Sequence, residues 1–222
     1  MVHIDFLKYI PYYSGLSSAE LESIRKLTIE KTVDKEEIIL LEGESSEVLY
    51  FLVSGVVKVF KASAEGKEQI LKIVSPGESL NDVPIFDGSP NPASAEAMTP
   101  TLLYGIRKND ILAILLDYPQ TALNAVRVLA SEVRHLASLV EDLSFRHVIA
   151  RVAKILLEHA QDGPGPRPRL THQEMASMAG AAREIIGRSL KILEQEGAIR
   201  LDRHRIVITD KEALGTMAGV VT

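Results

Sequence analysis

A regular stripe of apolar residues in the second half of the chain limits the possible folds more than any other feature. The stripe alternates between spacings of four and three residues: Ala122, Val126, Leu129, Val133, Leu136, Val140 and Leu143. Such spacing keeps the side chains on one face of a helix that supercoils around a partner. The stripe therefore predicts a long helix that pairs with a second copy from Val126 to Leu143. A core helix packed on its own domain is the alternative.

Short β-rich runs separated by turn residues precede this helix. The runs are residues 38–41, 49–53, 56–60, 69–74 and 102–106, and the breaks contain Gly43, Gly55, Gly66 and Gly77. Many short, evenly spaced strands are typical of an all-β barrel or sandwich. Before them, Ser17 and Glu20 have the spacing of a helix capping box.

Two short helices are predicted after residues 162–169, a segment rich in proline and glycine that is typical of a loop. Thr171 and Glu174 have capping-box spacing, so the first helix should begin after Thr171. The second should run over residues 182–196, after a small-residue break that contains Gly180. Two helices around a short turn that contains glycine are typical of a helix-turn-helix.

The second helix has two distinct faces. Ile186, Leu190 and Leu193 share a narrow stripe, which we expect to be buried. A separate arc is made of Arg183, Glu184, Gly187, Arg188 and Lys191. Arginine can donate two hydrogen bonds to guanine, glutamate can accept one from cytosine, and glycine lets the backbone approach the groove. The arc therefore predicts a face that reads DNA bases; a solvated face with Glu184 paired to Arg188 is the alternative.

A basic hairpin and an uneven charge distribution favour the same interpretation. Residues 199–208 are predicted to form two short strands around a basic tip, and Arg203 and Arg205 there could lie along a phosphate backbone. The net charge is -5, but residues 146–205 carry 11 Lys and Arg against 7 Asp and Glu, whereas residues 1–145 carry 13 against 21. The basic surplus is thus confined to the predicted DNA-binding segment.

Composition excludes several classes of function. The chain has no cysteine, which excludes disulfides, thiolate-ligated iron-sulfur clusters and cysteine nucleophiles. It has no phosphate-binding glycine loop and no hydrolase motif, so we expect no enzyme activity. Haem binding through His3 or His135 is disfavoured, because a lone histidine is more often a satisfied structural residue. The apolar runs are too short to cross a bilayer, and we expect a soluble, cytoplasmic protein.

Three motifs carry a resemblance to a known family. They are Leu-Tyr-Phe-Leu-Val-Ser-Gly-Val-Val-Lys-Val at residues 49–59, Glu-Gly-Lys-Glu-Gln-Ile-Leu at 65–71 and Arg-Glu-Ile-Ile-Gly-Arg-Ser-Leu-Lys-Ile-Leu-Glu at 183–194. From residue 49 to its end the chain resembles the cyclic-AMP receptor / fumarate-and-nitrate-reductase regulator (Crp/Fnr) family of bacterial transcription factors. The resemblance implies an α+β chain with three segments. These are an effector-sensing β-roll (jelly-roll) barrel in residues 1–116, a dimerisation helix in 117–145 and a winged helix-turn-helix in 146–222.

The resemblance also implies partners and roles for single residues. Arg183, Glu184 and Arg188 would read bases, and Thr171 and Gln173 would contact phosphates. The DNA would be a palindromic operator whose half-site core resembles GTGA. RNA polymerase is the further partner that the family implies.

The expected effector site departs from the family pattern. In relatives that bind cyclic AMP, a Gly-Glu pair holds the ribose, an Arg-Ser pair holds the phosphate, and a tandem Thr-Ser contacts adenine. Here Asn81-Asp82 replaces Gly-Glu, Ala93 stands where arginine is needed, and Leu136-Ala137 replaces Thr-Ser. A buried phosphate without a cationic partner is very costly. The sequence therefore disfavours cyclic AMP.

The substitutions predict a more apolar or less anionic effector. Its pocket should be formed by Asn81, Asp82, Val133, Leu136, Ala137 and Val140. Two alternatives remain open at this point: a transcription factor that needs no effector, and a ligand-binding module that acts on a protein partner.

Overall fold

The structure, a computed structural model, describes residues 2–159, 170–202 and 205–219. The helices are α1 (Ile4–Leu7), α2 (Ser18–Leu27), α3 (Asp82–Asp87), α4 (Lys108–Asp117), α5 (Pro119–Phe145), α6 (Val148–Glu158), α7 (His172–Ala179), α8 (Arg183–Gln195) and α9 (Lys211–Met217). The strands are β1 (Ile29–Val33), β2 (Ile38–Leu40), β3 (Val48–Ser54), β4 (Val57–Ala62), β5 (Glu68–Val74), β6 (Ser79–Leu80), β7 (Ser94–Ala97), β8 (Thr101–Arg107), β9 (Ile199–Asp202) and β10 (Arg205–Ile208). The predicted α+β class is confirmed.

Contacts between Cα atoms divide the chain into two compact units. One contains residues 1–61 and 71–136, and the other contains residues 62–70 and 137–222. The three predicted segments, with boundaries at residues 116 and 145, stay a prediction.

The β-roll consists of two four-stranded antiparallel sheets, ordered β1-β8-β3-β6 and β2-β7-β4-β5. The five predicted strands are all present, while β1, β6 and β7 were not predicted. β7 is the sequence Ser-Ala-Glu-Ala, whose small residues have little intrinsic preference for strands. It forms because β2 and β4 hydrogen-bond to it on either side.

Two apolar clusters hold this part of the chain together. The first lies between the sheets and includes Leu52, Val57 and Leu103, each fully buried. The second joins the N-terminal segment to the roll through Tyr12, whose ring meets Phe51 edge-on with centroids 5.4 Å apart. Packing of that ring fixes the position of the Tyr12 hydroxyl near residue 82.

Local chemistry sets the ends of the long helix. Pro119 begins α5, where its missing N–H would have had no helical partner. The helix ends at Phe145, because the backbone of His147 is extended, with ψ 152°, and precedes the start of α6. The Arg151 guanidinium donates to the carbonyl oxygen of Arg146 at 2.6 Å, so the break leaves that oxygen hydrogen-bonded.

The second unit contains α6 to α9 and the β9–β10 hairpin. Its buried core includes Val152, Met175, Leu190 and Leu214. Both predicted capping boxes, at Ser17 and Thr171, are confirmed. The predicted loop at residues 162–169 lies outside the described residues. None of the helices that the structure describes is long and apolar enough to cross a membrane.

Candidate nucleic-acid interface and ligand cavity

The turn between α7 and α8 is defined at both ends by backbone chemistry. At the start of α7, the Glu174 backbone N–H donates to Thr171 Oγ1 at 3.1 Å and the Thr171 N–H donates to the Glu174 carboxylate at 2.5 Å. At its end, Gly180 has a left-handed φ of +60°, and a Cβ there would lie 2.9 Å from Leu143 Cδ2. The turn therefore requires glycine for its conformation and for its close packing.

The two predicted faces of α8 are present. Ile186, Leu190 and Leu193 are buried. The exposed arc contains four charged side chains, Arg183, Glu184, Arg188 and Lys191. In the described part of the chain, no ion pair joins Glu184 to Arg188.

Gly187 lies within this exposed arc. A Cβ at this position would meet no atom within 4 Å, so internal packing does not require glycine here. Its absent side chain leaves room for a partner to approach the helix closely, and the predicted approach to DNA stays a prediction.

The predicted phosphate contacts flank this face. Thr171 and Gln173 are exposed at the start of α7. β9 and β10 pair in an antiparallel hairpin, and the Leu201 N–H donates to the Glu194 carboxylate of α8 at 2.7 Å. Arg205 is exposed on this hairpin, whereas Arg203 lies outside the described residues.

Sequence reasoning missed the contacts that connect α5, α6 and α7. The Arg151 guanidinium donates to the carbonyl oxygen of Ala179, the last residue of α7, at 2.8 Å. Lys154 of α6 forms an ion pair with Asp142 of α5 at 2.5 Å and donates to Ser138 at 3.1 Å. No sequence spacing identifies these pairs, because each joins residues on different elements.

The predicted dimer seam on α5 is largely exposed. Val126, Val133 and Val140 have exposed fractions of 63%, 67% and 63%. Leu136 and Leu143 are also exposed, and Leu129 is half-buried. These side chains form an apolar stripe along one side of the helix, and its three valines are largely uncovered in the described chain.

A cavity of about 230 Å³ lies between the β-roll and α5. Its lining includes Asn81, Asp82 and Leu136 from the predicted pocket, together with Ala93. Val133, Ala137 and Val140 are not among the lining residues, and all three are exposed. Helical periodicity rotates them by about 40–100° around α5 from Leu136, away from the lining residues Glu132 and His135.

Asp82 is the most deeply buried carboxyl group of the cavity wall. It accepts hydrogen bonds from the Tyr12 hydroxyl and from Ser79 Oγ, the latter at 2.7 Å. Burial raises the pKa of Asp82, and the two hydrogen bonds offset this only in part. Burial and the neighbouring Asp82 likewise raise the pKa of Tyr12. Neither Tyr12 nor Ser79 was predicted as a site residue. Tyr12 lies 70 positions from Asp82 in the sequence, so no local pattern connects the two.

Among the residues that the structure describes, Lys72 is the one lysine or arginine that lines the cavity. Its ammonium is 3.0 Å from the Glu78 carboxylate and also pairs with Glu132 of α5. Burial alone would lower the pKa of Lys72, but the two carboxylates outweigh it and raise the pKa. The charge of Lys72 is therefore already neutralised within the protein.

Profiles of two known domains match the two parts of the chain. Residues 30–118 match the cyclic nucleotide-binding domain, and residues 150–217 match the Crp-like helix-turn-helix domain. The chain is 29% identical over 212 residues to the cyclic AMP receptor protein of Thermus thermophilus, covering 96% of this chain and 98% of that protein. It is 30% identical over 173 residues to the cAMP-activated global transcriptional regulator CRP of Pasteurella multocida, covering 75% and 83%.

Solved structures show the same fold. FixK2 from Bradyrhizobium japonicum has a TM-score of 0.78 at 23% identity, covering 88% of this chain and 99% of that one. The catabolite activator protein of Thermus thermophilus has a TM-score of 0.56 at 29% identity, covering 95% and 100%.

The two matching domains and the relatives define a DNA-binding transcription regulator that carries a cyclic-nucleotide-binding-type domain. The chain belongs to the Crp/Fnr family of transcription regulators. Its relatives are transcription regulators rather than enzymes.

The raised pKa of Asp82 predicts a specific dependence of stability on pH. The folded protein retains a proton on Asp82 that the unfolded chain releases above its ordinary pKa of 3.8. The free energy of unfolding, compared with that of Asp82→Asn, should therefore be highest in acid and fall as the pH rises through the raised pKa. Urea unfolding of both proteins over a range of pH measures this difference.

Asp87→Asn is the matched control with the opposite sign. Hydrogen bonds from Ser89 lower the pKa of the exposed Asp87 carboxyl. The stability that Asp87 contributes should therefore be present above pH 3.8 and be lost as the pH falls. If the free energies of unfolding of the unchanged protein and of Asp82→Asn differ by the same amount at every pH, the raised pKa of Asp82 is wrong.

Proposed function

We propose that the protein is a homodimeric, sequence-specific transcription regulator whose β-roll cavity binds a small effector other than cyclic AMP. The observation that carries the proposal is the exposed arc of Arg183, Glu184 and Arg188 on the second helix of a helix-turn-helix. The proposal has three parts, namely the DNA contacts, the dimer and the effector.

The DNA contacts are supported by what α8 exposes. Arg183 is the first residue of the helix and Arg188 lies about one and a half turns further on the same arc, both free of ion pairs among the described residues. Each can donate two hydrogen bonds to a guanine, and Glu184 can accept one from cytosine. We expect Thr171, Gln173, Lys191 and Arg205 to contact phosphates, with Arg203 as a further candidate outside the described residues.

The dimer is supported by the stripe on α5. Three valines spaced by seven residues are each about two thirds exposed, which is unusual for a helix with no partner. Pairing α5 with α5 of a second copy would bury Val126, Val133 and Val140 in a two-fold symmetric seam. A symmetric dimer would present two copies of α8 to a palindromic operator.

The exclusion of cyclic AMP is supported by three features of the cavity. Ala93 provides no cation for a phosphate, and Lys72 is held by two carboxylates. The Asp82 carboxylate, at the position where relatives hold the ribose, accepts hydrogen bonds from Tyr12 and Ser79 instead. An anionic nucleotide would therefore lose its hydration without gaining a counter-charge.

Two other functions differ in what they require of the chain. A transcription factor without an effector would leave the cavity unused. A ligand-binding module that acts on a protein would use α8 as a protein interface. Specific DNA binding at raised salt, lost on substitution of Arg183, distinguishes the proposed function from the latter.

RNA polymerase, by family resemblance, is the protein partner we expect at promoters.

Substitution of the exposed valines should dissociate the dimer. In Val133→Glu and Val140→Glu the carboxylate would lie unpaired in an apolar seam, so the dimer and operator binding should both be lost. Both positions lie outside the cavity lining, unlike Leu136, which lines it. Sedimentation equilibrium measures the change, with Arg134→Glu as an exposed control on another face of α5. A fully dimeric Val133→Glu variant would rule out the seam.

Base reading by Arg183 should show as a change in sequence preference. Arg183→Ala is expected to cost about 1–3 kcal/mol at one G·C position and to relax the preference there. Gln173→Ala, a predicted phosphate contact, should weaken binding to all sequences alike. Binding selection from a random DNA library compares both variants with the unchanged protein, whose selected half-sites should lie ~34 Å apart. If Arg183→Ala selects the same motif as the unchanged protein, Arg183 contacts the DNA backbone and not a base.

Cyclic AMP should neither bind tightly nor increase DNA binding. Isothermal titration calorimetry with cyclic AMP should give no micromolar affinity, because the cavity supplies no free cation for the phosphate. The Ala93→Arg variant is the informative comparison, since it restores the missing charge. Micromolar binding by the unchanged protein would overturn this part of the proposal.

A further inference from the structure

A single guanidinium connects three backbone segments in the second unit. Arg151 lies in the first turn of α6, and its Nε donates to the carbonyl oxygen of Ala179, the last residue of α7, at 2.8 Å. Its Nη1 donates to the carbonyl oxygens of Asp142 at 3.2 Å and of Arg146 at 2.6 Å, in the last turn of α5 and just beyond it. We call these three contacts the Arg151 clamp. The clamp ties the start of α6 to the ends of α5 and α7.

The chemistry of the clamp suits arginine. The last carbonyl groups of a helix have no N–H partner within that helix, and the helix dipole favours a cation near them. Arg151 supplies both the donors and the charge to two such helix ends at once. Because the guanidinium is planar and holds its donors in a fixed fork, it also sets the directions of the carbonyl groups relative to one another. A lysine ammonium would keep the charge but not the fork.

A close apolar contact holds the same junction independently of the clamp. A Cβ at Gly180, in the turn between α7 and α8, would lie 2.9 Å from Leu143 Cδ2, so the last turn of α5 packs tightly against this turn. Lys154 of α6 adds an ion pair with the buried Asp142 at 2.5 Å. Residues 137–145 of α5 accordingly belong to the same compact unit as the helix-turn-helix. These contacts fix the position of α8 relative to the end of α5.

The junction determines where α8 would lie in the proposed dimer. Pairing of α5 with a second copy would place one α8 on each side of a two-fold axis, so any change at the junction would occur twice. The separation of the two α8 copies would then depend on the angle between α5 and its own α8. One base pair of extra spacer moves a half-site by about 3.4 Å and rotates it by about 35° around the duplex. A rigid junction would therefore favour one spacing between half-sites.

We propose that Arg151 is a positioning residue that sets the half-site spacing of the operator, acting through the carbonyl oxygens of Asp142, Arg146 and Ala179. The inference deepens the proposed function and rests on its DNA contacts and its dimer. Base preference is a separate property, since it depends on the side chains that α8 exposes.

Binding of the full-length protein to three operators tests this role. The operators carry the half-sites selected by the unchanged protein, at the selected spacing and at spacings one base pair shorter and one base pair longer. The unchanged protein should bind the two altered operators at least about tenfold more weakly, because the two α8 copies can no longer both engage their half-sites. Fluorescence anisotropy with labelled duplexes measures the dissociation constants. Equal affinity of the unchanged protein for all three operators would overturn the proposal.

Two substitutions of Arg151 should relax this selectivity. Arg151→Ala removes the clamp, and Arg151→Lys keeps the charge but loses the fork. In both variants the ratio between the affinities for the selected and the altered spacings should fall to about threefold or less, while the selected half-site sequence stays the same. A residue that only stabilises the fold would weaken binding to the three operators in proportion and leave this ratio unchanged.

Arg134→Ala is the matched control, since it removes a positive charge from an exposed position of α5 in the other unit. Its spacing ratio should equal that of the unchanged protein. If circular dichroism shows that Arg151→Ala does not fold, the milder Arg151→Lys decides the test. A ratio that keeps its original value in a folded Arg151 variant overturns the positioning role, and so does a changed half-site sequence.

The same measurements separate this inference from the proposed function. Absence of any palindromic operator for the unchanged protein would overturn the dimeric regulator, and the positioning role with it. A palindrome whose spacing preference survives both Arg151→Lys and Arg151→Ala would overturn the positioning role alone.

Discussion

The periodicity of α5 is the constraint on which both the cavity and the exposed stripe depend. One continuous helix closes the cavity with Leu129 and Leu136 and leaves Val133 and Val140 exposed. Leu136 belongs to both sets, since it lines the cavity and is 45% exposed. A ligand in the cavity would therefore contact a residue of the proposed dimer seam directly. Effector binding can be linked to dimer geometry only if the ligand interacts differently with different arrangements of the two helices. Direct contact with Leu136 would allow such a difference.

The residues that replace the family's nucleotide contacts form a consistent local structure. Asn81 has a left-handed backbone at the position where the family resemblance implies a glycine, and its amide donates to the Val48 carbonyl oxygen. Asp82 is shorter than the glutamate it replaces, and Tyr12 and Ser79 both donate to it. Tyr12 is itself held by its ring contact with Phe51. Tyr12 thus joins the loop around Asp82 to the N-terminal segment.

Features governed by neighbouring residues could be predicted from the sequence, and features governed by distant ones could not. The capping box at Thr171, the glycine turn at residue 180 and the exposed arc of α8 each follow from a few adjacent side chains. The assignment of residues 133, 137 and 140 to the pocket used the right helix, but the direction in which each residue faces depends on how that helix packs on the β-roll. The hydrogen bond between Tyr12 and Asp82 joins residues 70 positions apart, and no local pattern records it.

The two candidate sites use charge in opposite ways. On α8, Arg183 and Arg188 make no ion pair in the described chain, so their full hydrogen-bonding capacity is available to DNA. In the cavity, Lys72 lies between two carboxylates, and an anion could recruit it only by leaving Glu78 or Glu132 with an uncompensated charge. An uncharged ligand would need no such rearrangement, because it leaves the ion pairs of Lys72 intact. Under the proposed function, charge would therefore separate the partners of the two sites: DNA would be attracted to α8, and the cavity would select against anions.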